Sequence, residues 1–200
     1  MLKTVEFIFD FVSPNGYLAW YPLKDIAARH GAEIVVTPAL LGGIMKGANN
    51  QPPMVANADV KGKNDYFLKD MTRFQTRHGL TRFRMNPHFP FLTITPLRML
   101  IAAQKDGRGH ELIELLLPAA WEDGKNLSDK AVLAEILADS DFDGEALLAA
   151  TQDPAVKQTL IDNTEAAVER GVFGIPSFFV GEEMYFGKDR LFEVEEALAA

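Results

Sequence analysis

A serine and a proline, Ser13-Pro14, directly follow an apolar stretch that runs from Val5 to Phe11. A serine followed by proline where a strand meets a helix predicts a helix N-cap, with proline at the first helical position. The free N–H groups and the positive dipole end of such a helix attract anions. The simpler alternative is that Ser13 caps the helix and has no other role.

The chain has no cysteine among its 200 residues. Disulfides, thiolate metal sites and cysteine nucleophiles are therefore excluded, and thiol chemistry at Ser13 would have to arrive with a ligand. The histidines show no paired ligand spacing, so the sequence also predicts no metal site. They are His30, His78, His88 and His110.

The overall charge narrows the possible partners. With 20 basic and 28 acidic residues, the formal net charge is −8, which argues against nucleic acid as a partner. Glu6 and Asp10 interrupt the first apolar stretch, so it predicts a strand of the mature protein and no signal peptide. Because no apolar stretch is long enough to cross a bilayer, we expect a cytoplasmic protein without membrane partners.

The pattern of apolar residues predicts a strand from Thr4 to Phe9, a helix from Pro14 to about Arg29, and a strand from Glu33 to Thr37. Both faces of the first strand carry apolar residues, so we expect it to be buried on both sides. A βαβ unit of this length has parallel strands. Residues 41–53, rich in glycine, asparagine and proline, predict a loop with one short helical turn at most.

A long helical region follows. The predicted helices run from about Val60 to His78, Thr95 to Lys105, Gly109 to Asp123, Ser128 to Leu137, Gly144 to Ala150, and Asp153 to Arg170. Ser128 and Asp153 are predicted N-caps.

The chain then returns to strands. Ser177–Val180 and Met184–Phe186 predict an antiparallel hairpin, followed by a helix from about Asp189 to Ala199. This order predicts an α/β, thioredoxin-like fold with a large all-helical domain inserted between its βαβ and ββα halves. Residues 1–40 and 171–200 would form the discontinuous thioredoxin-like domain, and residues 41–170 the helical insertion.

Pro176, just before the predicted third strand, is a candidate for a cis peptide bond with Ile175. In a thioredoxin-like fold this loop faces the start of the first helix, where Ser13 lies. The backbone N–H and C=O of Ile175 would then be available to an extended peptide. A plain turn proline is the alternative.

Four stretches carry a family resemblance, in the same order along the chain. They are Phe9–Pro14 with Tyr17-Leu18-Ala19, Leu41–Lys46 with Asn50–Pro53, Val172–Pro176, and Phe186–Leu191. They resemble the 2-hydroxychromene-2-carboxylate isomerases and kappa-class glutathione transferases of the DsbA-like thioredoxin superfamily. Members of that family bind glutathione with a serine, not a cysteine, at the head of the first helix.

The resemblance implies glutathione as cofactor, with Ser13 donating a hydrogen bond to its thiolate. A thiol with a pKa of ~8.5 is mostly protonated at neutral pH, and a hydroxyl donor at a helix N-terminus favours the anion. Asn50 would hold part of the tripeptide, and the backbone of Ile175 would pair with the cysteinyl unit. Lys188 and Asp189 would meet the γ-glutamyl end, although Asp189 could equally cap the last helix.

The resemblance also implies a homodimer and a substrate site. Lys46 would contact a carboxylate of glutathione or substrate, unless it is merely solvated. Phe91 would bind a small aromatic electrophile in an apolar pocket, although aromatic residues at such spacing are more often core. The other pocket members would be Met45, Phe89 and Met99. Leu92 stands where isomerase-like members often have a polar residue, which affects the expected substrate pocket more than the glutathione site.

The implied activity is cis–trans isomerisation, in which the thiolate adds to a conjugated C=C bond and leaves after rotation. A kappa-class-like transferase, which would release a conjugate, needs the same thiolate. A non-catalytic binder of glutathione or a peptide is a third possibility, since a fold alone does not establish chemistry. Disulfide exchange by the usual route is excluded because the chain has no cysteine.

Overall fold

A mixed four-stranded sheet forms the centre of the computed structural model, which describes residues 3–200. The strands are β1 (Lys3–Phe9), β2 (Ala32–Pro38), β3 (Ser177–Val180) and β4 (Glu183–Phe186), in the order β2-β1-β3-β4. β1 runs parallel to β2 and antiparallel to β3, and β3 and β4 form the antiparallel hairpin. The predicted βαβ unit and hairpin are therefore confirmed.

Helices surround this sheet. α1 (Pro14–His30) joins β1 to β2, and α10 (Leu191–Ala199) follows β4 after a 3₁₀ turn at Lys188–Arg190. Between β2 and β3 lie α2 (Leu41–Gly47), α3 (Pro53–Ala56), α4 (Lys63–Arg77), α5 (Ile94–Lys105), α6 (Gly109–Trp121), α7 (Lys130–Ala138), α8 (Gly144–Ala150) and α9 (Pro154–Glu169). No helix within residues 3–200 is both long and apolar enough to cross a membrane.

β1 is buried on both faces, as predicted. Phe7 and Phe9 pack into the larger hydrophobic cluster, whereas Ile8 faces a smaller one on the other side of the sheet. The Phe7 ring lies 5.0 Å from the Phe178 ring of β3 and 6.2 Å from the Trp20 ring of α1. The central strand therefore receives helical cover on both sides.

The larger cluster continues from the sheet into the helical region. It joins Phe7 and Phe9 to Leu112 of α6 and Leu133 of α7. The division into residues 1–40 with 171–200 and an insertion at 41–170 stays a prediction, and its residues 1 and 2 lie outside the described residues. What the packing shows is that the helical region shares its apolar core with the sheet.

The expectation of a loop with a short helical turn at residues 41–53 is confirmed only for residues 48–52, because α2 covers Leu41–Gly47 and α3 begins at Pro53. Side chains distant in sequence cap the start of α2: the Thr164 hydroxyl accepts from Leu40 N–H, and the Asp10 carboxylate accepts from Leu41 N–H. Gly43 allows α2 to pack closely against α9, because a Cβ atom at this position would lie 2.8 Å from the Thr164 side chain.

The predicted N-cap at Ser128 is wrong, and the alternative role of Asp189 as a cap of the last helix is not confirmed. Asp129, not Ser128, caps α7, because its carboxylate accepts from Ala131 N–H, whereas the Ser128 hydroxyl bonds to Asn126. Asp189 does not cap the last helix, since it lies inside the 3₁₀ turn that precedes α10. The Ser128 hydroxyl and the Asp189 carboxylate are each hydrogen-bonded to a neighbouring side chain, Asn126 and Lys188 respectively, and not to the N–H groups of a helix start.

Phe7→Ala should lower the free energy of unfolding by about 3–5 kcal/mol, because it removes a buried ring from the central strand and leaves a cavity. Urea denaturation would measure this loss. Val35→Ala is the matched control, since Val35 lies on the neighbouring strand with its side chain 43% exposed and should change stability by about 0.5 kcal/mol or less. Equal effects of the two substitutions would contradict the central role of Phe7.

Candidate active site

Ser13 caps α1, as the sequence predicts. Its backbone is extended (φ −82°, ψ 113°), its hydroxyl oxygen accepts a hydrogen bond of 3.1 Å from Gly16 N–H, and Pro14 occupies the first turn. The side chain is almost fully buried, with 2% of the residue exposed. No acidic residue lies in the first turn of α1. No side chain of this first turn therefore opposes the positive dipole of the helix end.

The Ser13 hydroxyl also reaches the far end of the chain. It donates a hydrogen bond of 2.8 Å to the carbonyl oxygen of Ile175. The Ile175-Pro176 peptide bond is cis, so the predicted cis proline is confirmed, and Phe89-Pro90 is cis as well. The structure thus brings together the two loops that carry Ser13 and Ile175.

Several polar groups at this junction have no partner within the described residues. They are the N–H of Ile175, the N–H of Asn15, and the buried side-chain oxygen of Asn15. The Ile175 carbonyl still has one free lone pair beside the bond from Ser13. A peptide with its own N–H and C=O would pair with the Ile175 N–H and with the free lone pair of the Ile175 carbonyl, so the junction can bind an extended peptide backbone.

Asn50 lies beside the cis-proline loop. Its amide nitrogen donates a hydrogen bond of 2.8 Å to the carbonyl of Phe173, two residues before Ile175. The loop itself is closely packed, because a Cβ at Gly174 would lie 2.8 Å from the Phe186 ring. Asn50 is exposed, so its side chain can meet a ligand at the surface.

Lys188 and Asp189 also lie next to this loop, because Gly187 N–H donates to the Pro176 carbonyl at 2.9 Å. The Lys188 ammonium group is buried, with 3% of the residue exposed. It lies 3.1 Å from a carboxylate oxygen of Asp70 and 2.7 Å from one of Asp189. The Asp189 side chain is 60% exposed, so the group that faces solvent here is a carboxylate.

The predicted substrate residues are less closely grouped. Lys46 lies exposed in the last turn of α2, and Asn50 N–H bonds to the Met45 carbonyl one residue before it. Phe91 is almost fully buried, with its ring 5.8 Å from that of Trp121. Met99 is fully buried in the core, so it offers a substrate no surface. Two apolar residues next to Phe91 reach solvent: Leu92 is 72% exposed and Phe89 is 39% exposed.

Sequence reasoning missed the side chains that hold the serine loop in place. The Trp121 indole donates a hydrogen bond of 2.8 Å to the Phe11 carbonyl, two residues before Ser13. One turn into α1, the Tyr17 hydroxyl donates to a carboxylate oxygen of Glu122 at 2.8 Å. Both contacts come from the end of α6, which no local pattern in the sequence connects to the loop.

Asp10 is the other residue that sequence reasoning gave no role. It is fully buried at the end of β1, and desolvation raises the pKa of its carboxyl from 3.8 to about 6, against the opposing effect of its hydrogen bonds. A lone acidic residue between Phe9 and Phe11 was the available signal. A charge in an apolar run is buried only if polar groups satisfy it.

Comparison with known proteins places this geometry in a family. Residues 4–199 match the family described as the DSBA-like thioredoxin domain. A 2-hydroxychromene-2-carboxylate isomerase of Pseudomonas putida is 30% identical over 97% of this chain and 93% of its own length. Glutathione S-transferase kappa 2 of Caenorhabditis elegans is 27% identical over 98% of this chain and 92% of its own length.

The fold agrees with these relatives. A solved structure of 2-hydroxychromene-2-carboxylate isomerase superposes with a TM-score of 0.84, at 27% identity, over 98% of this chain and 94% of that one. The predicted thioredoxin-like α/β fold is therefore confirmed, and so is the family resemblance carried by the four sequence stretches.

The raised pKa of Asp10 predicts how stability depends on pH. Because the folded pKa lies above the unfolded one, the stabilising contribution is complete below about pH 4 and is lost as pH rises through about 6. Relative to Asp10→Asn, the wild-type free energy of unfolding should therefore fall by up to roughly 3 kcal/mol between about pH 4 and 7.

Urea unfolding of both proteins across this pH range would measure the difference, in which the contributions of all other titrating groups cancel. A difference that does not change with pH, or that grows in favour of the wild type as pH rises, would contradict the prediction.

Proposed function

The chain belongs to the DSBA-like thioredoxin family, in the group of 2-hydroxychromene-2-carboxylate isomerases and kappa-class glutathione transferases, and we propose that it is a glutathione-dependent isomerase. Its substrate would be an aromatic, conjugated electrophile of the 2-hydroxychromene-2-carboxylate type. Glutathione, when bound, supplies a thiolate nucleophile that the cysteine-free chain lacks.

One observation carries this proposal: the Ser13 hydroxyl lies 2.8 Å from the Ile175 carbonyl, next to an Ile175 N–H that has no partner among residues 3–200. A cysteinyl residue paired with the Ile175 backbone would therefore lie beside Ser13. The hydroxyl carries one proton, which now goes to Ile175. Turning that proton toward the ligand sulfur would stabilise the thiolate, together with the N-terminal end of α1.

The γ-glutamyl end of glutathione carries an ammonium group and a carboxylate. Lys188 is flanked by Asp70 and Asp189, so this cluster has a net negative charge when all three side chains are ionised. We assign the exposed Asp189 carboxylate to the ammonium group. Lys188, buried beneath it, would hold that carboxylate in place.

The remaining predicted residues extend the site on either side. Asn50 would bind the tripeptide backbone while its amide stays close to the cis-proline loop. Lys46, exposed on α2, would contact a carboxylate of glutathione or substrate. Phe91 would act from beneath the surface, by supporting the exposed segment that includes Leu92. These assignments follow the resemblance and stay predictions, as do the homodimer and the cytoplasmic location.

Transferase activity is the second candidate, supported by the kappa-class relatives. Product analysis separates the two: an isomerase returns glutathione unchanged, whereas a transferase consumes it as a conjugate. A chromogenic electrophile, assayed with and without glutathione, separates both from a binder without turnover. Calorimetry that detects no uptake of reduced glutathione at millimolar concentration would refute the cofactor itself.

Ser13→Ala should lower kcat by about 100-fold, because it removes the hydroxyl donor to the thiolate. The pKa of the bound glutathione thiol, followed by its ultraviolet absorbance, should rise. Loss of the N-cap should lower the free energy of unfolding by only about 1 kcal/mol.

Asp143→Ala is the matched control for Ser13→Ala, because Asp143 caps α8 in the same way, by accepting from the N–H three residues on. It should cost similar stability and leave kcat and the thiol pKa unchanged. Wild-type activity in Ser13→Ala would reject the role of the hydroxyl.

Asp189→Asn should weaken glutathione binding up to about fivefold, the range expected of a solvent-exposed ion pair. The same substitution should leave unchanged the binding of a glutathione analogue that lacks the α-amino group. Glu193→Gln, which removes a nearby negative charge paired with Arg190 at 3.7 Å, is the control. Calorimetry with both ligands on the wild type and the two variants measures how strongly the Asp189 carboxylate and the α-amino group are coupled. If Asp189→Asn weakened the binding of both ligands equally, the assignment would be contradicted.

A further inference from the structure

The buried Asp10 carboxylate lies against three separate segments of the chain. One oxygen accepts from Val12 N–H at 3.2 Å, and the other accepts from Leu41 N–H at 2.8 Å. The hydroxyl of Thr93, itself 1% exposed, lies beside the carboxylate and lowers its pKa against the effect of desolvation. A side chain at the end of β1 therefore joins the serine loop, the start of α2 and the start of α5.

Each of these segments carries a residue of the proposed site. Val12 directly precedes Ser13. Leu41 begins α2, which carries Lys46 and leads to Asn50. Thr93 follows Phe91 by two residues.

We propose that Asp10 is a positioning residue that fixes the serine loop, α2 and the Phe91–Thr93 segment relative to one another. The inference rests on the proposed function, because it assigns these segments to one glutathione and substrate site. Asp10 would act through the backbone of its neighbours and touch neither ligand. The site would then be ordered before glutathione binds, so that binding need not supply the cost of ordering it.

Only a carboxylate can satisfy both backbone donors at this position. Both of its oxygens accept, whereas an amide offers one accepting oxygen and an NH₂ group that donates. Asp10→Asn would therefore set the new NH₂ group against the N–H of either Val12 or Leu41. In a buried site such a donor without an acceptor is costly, and the simplest relief is separation of the segments.

The test uses the full chain under conditions in which circular dichroism shows every variant to be folded. Calorimetry should show glutathione binding about tenfold weaker in Asp10→Asn, which corresponds to about 1.4 kcal/mol. Thr93→Val, a milder change that removes the hydroxyl beside the carboxylate, should weaken binding about threefold. Hydrogen exchange of the Val12 and Leu41 amides in Asp10→Asn should accelerate about tenfold relative to sheet amides such as that of Phe178.

Two matched control substitutions distinguish a specific effect on glutathione binding from a general loss of stability. Asp143→Asn makes the same chemical change at the cap of α8, and Thr151→Val removes a buried hydroxyl that donates to the Leu148 carbonyl at 2.7 Å. Both should leave glutathione binding and the exchange of the two amides as in the wild type. Exchange that rises equally at all amides in Asp10→Asn would indicate global destabilisation and would overturn the inference.

Wild-type glutathione affinity in both Asp10→Asn and Thr93→Val would likewise overturn it. If Asp10→Asn does not fold, the affinity of Thr93→Val compared with that of Thr151→Val decides. If the wild type itself binds no glutathione, the proposed function fails, and local exchange at Val12 and Leu41 alone decides whether Asp10 fixes the segments.

Discussion

The hydrogen bond from the Ser13 hydroxyl to the Ile175 carbonyl joins segments 162 residues apart, and the candidate site is built around it. Its geometry follows from the sheet. Because β1 and β3 are antiparallel neighbours, with Ile8 opposite Ser177, the end of one and the start of the other lie at the same edge. The loop after β1 and the loop before β3 must therefore meet, and the start of α1 and the cis-proline loop face each other there.

The helical region between β2 and β3 does more than cover the sheet. Three of its hydrogen bonds reach residues just before and after Ser13: the Trp121 indole donates to the Phe11 carbonyl, the Tyr17 hydroxyl donates to Glu122, and Leu41 N–H donates to Asp10. Polar groups buried in this way favour one arrangement, because each alternative leaves a donor or acceptor without a partner. The helical region thus adds fixed contacts to a loop that is also held by the hydrogen bond from Ser13 to Ile175.

A serine at this position is compatible with a nucleophile that is supplied by a ligand and not by the protein. A hydroxyl remains neutral when buried, so the ligand-free protein bears no desolvation cost for an unpaired thiolate. The chain carries a net charge of −8, yet its proposed ligand is an anion. Attraction must therefore be local, from the end of α1 and from backbone N–H groups, while counterions screen the distant carboxylates beyond a Debye length of about 8–10 Å.

The sequence by itself determined the βαβ unit, the hairpin and the Ser13 cap, because each depends largely on neighbours within a few residues. It made Pro176 a candidate for a cis peptide bond without fixing the isomer. It also supplied the family motifs that pointed to Ser13, Asn50 and Ile175. Tertiary structure alone decided that residues 41–47 form a helix, that Lys188 lies buried between two carboxylates, that Met99 belongs to the core, and that Asp10 joins three segments. The physical reason is the same in all four cases. Residues far away in the chain determine whether a side chain is buried and which hydrogen-bond partners it has. No local sequence pattern predicts which distant residues will pack against it.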